Sequence, residues 1–236
     1  MSKAIFWHRR DLRIEDNAGL FKACQAATHV QPIFIFDTEI MSELDKKDAR
    51  VEFIHREIEQ LSREYATHNL HLRVEIGNPV ELIPSLAKEL KVDHVYTNRD
   101  YEPYALQRDK TLYDTLQTEG IGFSGAKDHV IFEKSEVMKG DGTPYTVFTP
   151  YSRKWKERLS QEPISLHDSK GALSHVQGIE KAPKIPRLTD LGFEPSGLNF
   201  PSIEVEDLLI SKYSVQRNFP AKPGTSKLGI HLRFGT

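Results

Sequence analysis

The amino-acid sequence predicts an α/β fold in which helices cover both faces of a doubly wound, parallel sheet of five strands. Short apolar segments alternate with amphipathic stretches through residues 4–124. Each apolar segment is followed by a stretch long enough to form a helix before the next one begins. Strands joined in this way run parallel, and right-handed crossovers then place helices on both faces of the sheet.

The predicted strands are short apolar runs, which lie at residues 4–7, 30–36, 70–76, 92–96 and 121–124. The third of them alternates apolar and polar residues, as expected of a strand that buries one face. Pro32 lies in the second run, where it is compatible with a strand only near the start or at an edge of the sheet.

The predicted helices fill the intervals between these runs. The first runs from a cap at Asp16 and Asn17 toward Ala27, and the others span residues 48–68, 80–90 and 104–118. In the second, apolar residues spaced three and four apart form one face of a helix; they are Val51, Ile54, Ile58, Leu61 and Tyr65.

The composition is that of an ordinary soluble globular protein, with 38% hydrophobic and 28% charged residues in a chain of 236. This length suits one large domain, or one domain with an appendage. The sequence has no apolar run long enough to cross a membrane and opens without a signal-peptide pattern. Cys24 is the only cysteine, which excludes an internal disulfide and favours a cytoplasmic, reducing compartment.

The charge balance gives no argument for nucleic-acid binding by the chain as a whole, since 32 basic and 34 acidic residues leave a net charge of −2. Basic residues cluster locally at Arg9 and Arg10 and within residues 153–158. A solvated helix face accounts for the second cluster. If the protein contacts DNA, we expect most of its basic surface to lie elsewhere.

Missing motifs argue against several common chemistries, including NAD-dependent and P-loop chemistry. The turn after the first strand reads HRRDLR, whereas a dinucleotide-binding turn needs glycines that let pyrophosphate approach the backbone. The sequence also lacks a Walker loop, a zinc-type ligand spacing and a Gly-x-Ser-x-Gly elbow. The segment DGTP at residues 141–144 is typical of a hairpin turn.

The default ligand pocket of such a sheet is the crevice at the carboxyl ends of its strands, where strand order reverses. Residues 7–10, 36–37 and 98–100 belong there. The charged turn of Arg9, Asp11, Arg13 and Asp16 has two interpretations, an anion site or ion pairs that fix the loop to the sheet. Equal numbers of both signs within eight residues favour mutual pairing.

A second candidate site lies near the end of the chain, where Gly-Thr-Ser-Lys occupies residues 224–227. Two hydroxyls, a cation and a flexible backbone can surround a phosphate group. A turn that caps the next helix through Thr225 or Ser226 would explain the same residues. The motifs that accompany the loop decide between these interpretations.

Four segments together resemble the photolyase and cryptochrome family. They are FWHRRDLRIEDN at residues 6–17, NRDYEPY at 98–104 with Arg108 and Asp109, PYTVFTPY at 144–151 with Trp155, and the stretch from Tyr213 through Gln216, Arg217, Phe219 and Pro220 to residues 224–228. They occur in the family's order and span the whole chain. Four motifs in register are far more specific than any one of them.

The resemblance implies a Rossmann-like antenna-binding domain at residues 1–130, a connecting segment and linker at 131–202, and the start of a helical FAD-binding domain at 203–236. The Pro-, Ser- and Gly-rich part of the linker, residues 161–202, would wrap the sheet domain. We expect the chain to be the first part of a longer protein. By itself it should neither hold FAD tightly nor repair DNA, and it should contain no catalytic residue.

The resemblance also assigns cofactor positions, with FAD contacting Tyr213, Thr225, Ser226, Lys227, Leu228 and Gly229. Serine is common in the family at position 229 and proline at 230, so one hydroxyl contact would be lost here. Some members bind folate through Asn and Glu where this chain has Tyr104 and Ala105. This departure favours a flavin or deazaflavin antenna, or none; its possible site comprises Phe36, Asp37, Arg50 and Asn98.

Three functional hypotheses remain open at this point. The first is a photolyase, expected to be a monomer, in which excited reduced FAD splits cyclobutane pyrimidine dimers flipped out of DNA. Its DNA-binding face would lie mainly in a C-terminal part absent from this sequence. The second is a cryptochrome-type blue-light receptor without repair activity. The third is a free-standing α/β module that binds a flavin or a nucleotide.

Overall fold

Five parallel strands form the sheet, in the order β3-β2-β1-β4-β5. The computed structural model describes residues 2–181 and 184–236 of the chain. The strands are β1 (Lys3–His8), β2 (His29–Asp37), β3 (Arg73–Gly77), β4 (His94–Asn98) and β5 (Gly122–Ala126). Strand order reverses between β1 and β4, which pair in parallel from Ala4 with His94 to Trp7 with Thr97. The predicted fold class is therefore confirmed.

Helices connect the strands and continue beyond them. They are α1 (Ala18–Ala26), α2 (Thr38–Met41), α3 (Ala49–Thr67), α4 (Pro79–Leu90), α5 (Pro103–Thr118), α6 (Phe148–Gln161), α7 (Ser169–Ala172), α8 (Asp207–Gln216) and α9 (Gly229–Phe234). Short 3-10 helices span Lys134–Glu136, Leu173–His175 and Leu188–Leu191. Asn17 caps α1 by accepting from the backbone N–H of Leu20, as predicted.

Both faces of the sheet are buried, because alternate side chains of β1 enter different cores. Ala4 and Phe6 belong to one cluster, with residues of α1 and α3, while Ile5 and Trp7 belong to the other, with residues of α4 and α5. Each of these four side chains is at most 1% exposed. The two cores establish the doubly wound arrangement.

The boundaries of the third, fourth and fifth predicted strands differ most from the structure. The third strand begins at Arg73, because the buried Leu70 and Leu72 precede the hydrogen-bonded ladder. The fourth and fifth end at Asn98 and Ala126, each two residues later than predicted. The fourth strand starts later than predicted because Val92 still closes the end of α4 with a backbone bond to Ala87, and the fifth because Ile121 does the same for α5 with a bond to Leu116.

The segment DGTP forms a turn, as predicted, since Gly142 donates to the carbonyl of Lys139 and Asp141 accepts from the backbone N–H of Thr143. The hairpin is wrong, however. Within the described ranges no strand flanks this turn, and α6 begins soon after it. The Asx bond alone is sufficient to shape the loop.

The linker packs along the sheet domain from residue 167 onward, where the backbone N–H of His167 donates to Asp16 and Leu173 and Val176 enter the core. Ala182 and Pro183 lie outside the described residues. Gln177 forms a parallel bridge with His29 at the start of β2. Farther along, Leu191 and Phe193 are buried in the core against α3, and Ser196 donates to Glu52 at 2.5 Å. Apolar burial and backbone pairing therefore both attach this segment to the sheet domain.

Candidate functional site

A chain of charged side chains crosses the carboxyl edge of the sheet at the point of strand reversal. Arg108 on α5 lies 3.5 Å from Asp37 at the end of β2 and 3.3 Å from Asp109. Asp109 in turn accepts two bonds from Arg9, at 2.7 and 2.8 Å. Arg9 also donates to the backbone carbonyl of Asn98 at the end of β4. The structure thus connects three of the predicted crevice residues, Asp37, Arg9 and Asn98.

Arg9 and Arg108, the two arginines of this row of charged side chains, stack on the indole of Trp7. Their guanidinium carbons lie 5.0 Å (Arg9) and 4.7 Å (Arg108) from the ring centroid, within cation–π range. Burial, reinforced by the neighbouring Arg9 cation, lowers the pKa of Arg108. Among the described residues, neither Trp7 Nε1 nor Arg9 Nε has a hydrogen-bond partner, although both are buried. The crevice therefore has an aromatic floor with cations held above it.

Tyr104 closes the rim of the crevice by donating from its hydroxyl to Asp37 at 2.8 Å. Burial and this bond to a carboxylate raise the pKa of Tyr104. Its ring lies 5.4 Å from the Arg108 guanidinium, one helical turn away. The sequence places Tyr104, Arg108 and Asp109 in a family motif, and Tyr104 is also a departure from a folate site, but sequence reasoning assigns none of the three to the crevice. The four-residue spacing of Tyr104 and Arg108 on one helix was the available signal.

Asn98 lies in a second, fully buried polar network. Its side-chain N–H groups donate to Asp11 at 2.5 Å and to Asn17 at 2.8 Å, and its oxygen accepts from the backbone N–H of Gly19 at 2.8 Å. Both donors of the amide are thus used inside the protein. This network fixes the start of α1 against the ends of β1 and β4.

His8 completes the buried network beneath the turn. Its Nδ1 lies 2.9 Å from the carbonyl of Asp11, which can only accept, so Nδ1 carries the proton. Its Nε2 then accepts from the hydroxyl of Tyr65 at 2.7 Å. Burial lowers the pKa of His8 and raises that of Tyr65. The pair therefore stays neutral and has a structural role.

The prediction that the charged turn pairs within itself is wrong. Its arginines pair with carboxylates from distant parts of the chain: Arg9 with Asp109, Arg10 with Asp100 and Glu102, and Arg13 with Asp128. Asp11 and Asp16 instead accept from backbone N–H groups and amides. The physical reason is geometric, because adjacent residues of an extended turn project in different directions. The general prediction that ion pairs fix the turn to the sheet is nevertheless met.

A cavity of about 640 Å³ lies beside this turn, a volume within the usual range for small-molecule sites. The turn contributes Arg10, the β4–α5 loop contributes Asp100 and Tyr101, and the end of the chain contributes Arg233. Glu102 bridges the two sides, with Arg10 at 3.2 Å and Arg233 at 3.0 Å. Sequence reasoning did not anticipate this bridge, which joins residues 131 positions apart.

The segment of residues 224–229 folds back on the end of α8. A Cβ atom on Gly224 would lie 2.6 Å from Cβ of Gln216, so this close approach requires glycine. Lys227 adopts a left-handed backbone with φ of 56°. Thr225, Lys227 and Gly229 are exposed, and Ser226 and Leu228 are half-buried.

The alternative interpretation of this segment, a side-chain cap for the next helix, is not observed. No side chain caps α9, whose first flanking residue is Leu228. The hydroxyl of Ser226 accepts a long 3.5 Å bond from the backbone N–H of Leu228. Tyr213 lies half-exposed on α8, one turn before that helix ends. Hydroxyls and an ammonium therefore remain available at one surface.

The helix that follows this loop packs directly on the charged turn. The backbone N–H of Leu12 donates to the carbonyl of Phe234 at 3.0 Å. His231 is buried, contacts Phe53 edge-on and lies 3.0 Å from the carbonyl of Pro201. The predicted flavin loop and the sheet crevice are thus held in a defined relation by α9.

The four residues of the predicted antenna site have different environments. Phe36 is buried and meets Phe34 edge-on at 5.0 Å, and Asp37 and Asn98 belong to the networks described above. Arg50 stands at the start of α3, largely exposed, and pairs with Asp48 at 2.5 Å. In the part of the chain that the structure describes, no cluster of metal-ligating side chains is present. No described helix is long and apolar enough to cross a membrane.

Comparison with known proteins agrees with the resemblance drawn from the motifs. The family model described as DNA photolyase matches residues 4–168. A deoxyribodipyrimidine photo-lyase of a Synechococcus strain is 34% identical over 98% of this chain and 51% of its own length. An uncharacterised 31.6 kDa protein of another Synechococcus strain is 33% identical over 98% of this chain and 84% of its own length.

Solved structures show the same likeness. The class III photolyase of Agrobacterium tumefaciens superposes with a TM-score of 0.81 and 26% identity, covering 100% of this chain and 51% of its own. The chain spans about half the length of the curated photo-lyases that it matches. With the motif order, the sheet topology and these matches in agreement, the chain belongs to the DNA photolyase family.

Proposed function

We propose that the protein to which this chain belongs repairs cyclobutane pyrimidine dimers in DNA, in a reaction driven by light. The structural observation that carries the proposal is the loop at residues 224–229, which presents hydroxyls and an ammonium at one surface. Family membership and the relatives' name, deoxyribodipyrimidine photo-lyase, support the same conclusion. The relatives' extra length suggests that repair needs a further half of the polypeptide.

The donors of this loop fit the phosphates of FAD. Thr225 and Ser226 offer hydroxyls and Lys227 offers an ammonium, the groups that bind phosphate oxygens in proteins. A Cβ atom at Gly229 would meet nothing within 4 Å, so its backbone is open to close approach by a ligand. We assign Tyr213 and Leu228 to the border of the same site.

When bound, reduced and excited by light, FAD would supply the electron that splits the cyclobutane ring. The residues of this chain would hold one end of the cofactor. The bridge of Glu102 to Arg10 and Arg233, together with the packing of α9, would keep that end at a constant distance from the sheet domain. We place no catalytic residue in this chain, and we propose damaged DNA as the partner of a monomer in the cytoplasm.

We further propose that any antenna chromophore is a flavin or deazaflavin at the carboxyl edge of the sheet. Tyr104 and Ala105 replace the polar pair expected for folate. Asp37 and Arg50 would offer an acceptor and an exposed cation at that edge. Both side-chain donors of Asn98 are already used, so its contribution would come through its backbone or through packing.

The test is a repair assay on the complete product of the source reading frame. The purified protein is incubated with an oligonucleotide that contains one thymine dimer, under blue light or in the dark, and repaired strand is quantified. We expect repair in the light only. A Thr225→Ala/Ser226→Ala variant should bind FAD at least about tenfold more weakly, since hydrogen bonds to charged groups contribute about 1.5–3 kcal/mol each.

A matched control, Thr111→Ala/Ser42→Ala, removes two exposed hydroxyls from other surfaces and should leave both FAD binding and repair unchanged. A complete protein that retains FAD but repairs nothing would instead be a cryptochrome-type receptor. Stable flavin binding by a reading frame that ends after Thr236 would indicate the free-standing module. The observation that favours this last alternative is the length of the second Synechococcus relative, of which this chain covers 84%.

A further inference from the structure

Helix α6 is a solvated helix with no buried residue. Its inner face is half-buried and includes Trp155, which meets Phe132 edge-on at 5.7 Å, and Arg158, whose guanidinium lies 5.0 Å from the same ring. Arg158 also donates to the carbonyl of Glu136. These contacts fix which side of the helix faces the protein and which side faces solvent.

The outer side of α6 carries a cationic stripe, which we define as Thr149, Arg153 and Lys156. Spacings of four and three place these residues on one helical face, and all three are exposed. By the same helical period the three residues lie roughly 100–160° around the helix axis from Trp155. Two cations and a hydroxyl donor therefore point away from the rest of the chain.

Internal ion pairs do not account for this stripe. Glu157 follows Arg153 by four residues, but its carboxylate is 3.2 Å from Lys154 on the other flank of the helix. Glu162, just past the helix, pairs with Arg158 at 3.2 Å. Within residues 2–181 and 184–236, neither Arg153 nor Lys156 forms an ion pair. Arg153 and Lys156 are like charges three residues apart, which weakens a helix slightly. An anion from outside the chain would relieve this repulsion.

We propose that the cationic stripe of α6 contacts the sugar–phosphate backbone of DNA. This inference rests on the proposed action of the protein on DNA, although not on the repair chemistry. Duplex DNA presents a regular row of phosphates, and arginine, lysine and threonine side chains supply most contacts to it. Such contacts position a protein on DNA without reading sequence or damage.

The charge of the chain makes this stripe distinctive. With a net charge of −2, the chain as a whole does not attract a polyanion, so any attraction must come from a local surface. Helix α6 contains four cations and one carboxylate within 14 residues. The contribution is a small one, of about two phosphate contacts, and it adds to whatever binding the rest of the protein provides.

The experiment uses the 236-residue chain, labelled with 15N, titrated at low salt with an undamaged duplex of twelve base pairs. We expect the largest amide shift changes within residues 149–160. In the variant Arg153→Gln/Lys156→Gln those changes should fade. The slope of log affinity against log salt concentration, which is negative, should become shallower by about two units, because each lost phosphate contact accounts for about 0.9. Affinity at 0.1 M salt should drop on the order of tenfold.

A charge-matched control replaces one arginine and one lysine elsewhere: Arg56→Gln/Lys110→Gln, at exposed positions of α3 and α5. It should leave the shifts of α6 and the salt slope unchanged. An equal loss in both variants would show that only net charge matters, and this would overturn the proposal. Shift changes that avoid α6, or no binding by the wild-type chain at 20 mM salt, would do the same.

Two further arms separate other occupants. If poly-glutamate shifts the same amides with the same affinity as DNA, the stripe is a general cation patch and the assignment to DNA is wrong. If, in the complete protein, the double variant loses thermal stability or FAD while its salt slope stays constant, then α6 packs against another part of the polypeptide. A failed repair assay with an intact salt slope would refute the proposed function alone.

Discussion

Replacement of Asn98 by alanine is expected to lower the free energy of unfolding by about 3–5 kcal/mol. The side chain is 2% exposed and makes three hydrogen bonds, two as donor and one as acceptor. Each of the two bonds that the Asn98 amide donates contributes about 1 kcal/mol net. Alanine would also leave the backbone N–H of Gly19 buried without a partner, at a further cost of about 1–3 kcal/mol.

The measurement is urea denaturation of the 236-residue chain, followed by tryptophan fluorescence, because Trp7 lies in the core at the end of β1. Asn218→Ala is the control, since Asn218 is exposed beyond α8, and its effect should stay within about 0.5 kcal/mol. The urea midpoint should shift, while the slope of the unfolding free energy against urea concentration stays the same. A change in that slope would report a change in the surface exposed on unfolding.

A loss below about 1 kcal/mol for Asn98→Ala would refute the reasoning. It would mean that the turn after β1 is held by the ion pairs of Arg9 and Arg13 and that the amide network is secondary. It would also make the side chain of Asn98 available to a ligand, in favour of the antenna site at this edge. A loss in the expected range assigns it a structural role.

Gly19→Ala should destabilise the chain by about 1–3 kcal/mol in the same assay, because the new Cβ would lie 2.7 Å from Oδ1 of Asn98. This cost should exceed the gain from the better helix propensity of alanine, so a gain in stability would contradict this packing. Stability should fall as pH drops below about 6.5, by up to about 1.4 kcal/mol per pH unit from His8. The lowered pKa of His8 keeps it neutral in the folded state while the unfolded chain takes up a proton; denaturation midpoints that are constant from pH 7 to pH 5.5 would count against it. Burial raises the pKa of Cys24 to about 12. A thiol reagent at pH 8 should therefore label Cys24 at least about a thousandfold more slowly in the folded chain than in urea. Fast labelling of the native chain would show that α1, which carries Cys24, opens.

Local patterns were sufficient for much of the fold. The spacing of Val51, Ile54, Ile58, Leu61 and Tyr65 predicts a helix with one apolar face. In α3 four of these side chains are buried, and Ile54 is half-buried against the same core. Asn17 is a side-chain cap in the structure, as its position before an apolar stretch predicts. Such features depend on residues within one or two helical turns, so the sequence alone carries them.

The candidate sites were predictable only in part. The donors at residues 225–227 and the crevice residues could be named from motifs. The stacking of Arg9 and Arg108 on Trp7 could not, because it depends on α5 packing beside β1. The bridge through Glu102 likewise requires the end of the chain to return to the β4–α5 loop.

The sequence by itself determined the alternation of strands and helices, the order of the family motifs, and the presence of hydroxyl and ammonium hydrogen-bond donors near the end of the chain. Only the tertiary structure decided which partner each charged residue has. Arg9 and its carboxylate Asp109 are 100 positions apart, and Arg13 and Asp128 are 115 apart. The chain contains 34 acidic residues, and periodicity does not distinguish among them. The choice is made when parallel pairing brings the ends of β1, β4 and β5 to one edge of the sheet, where charges distant in sequence come within hydrogen-bonding distance.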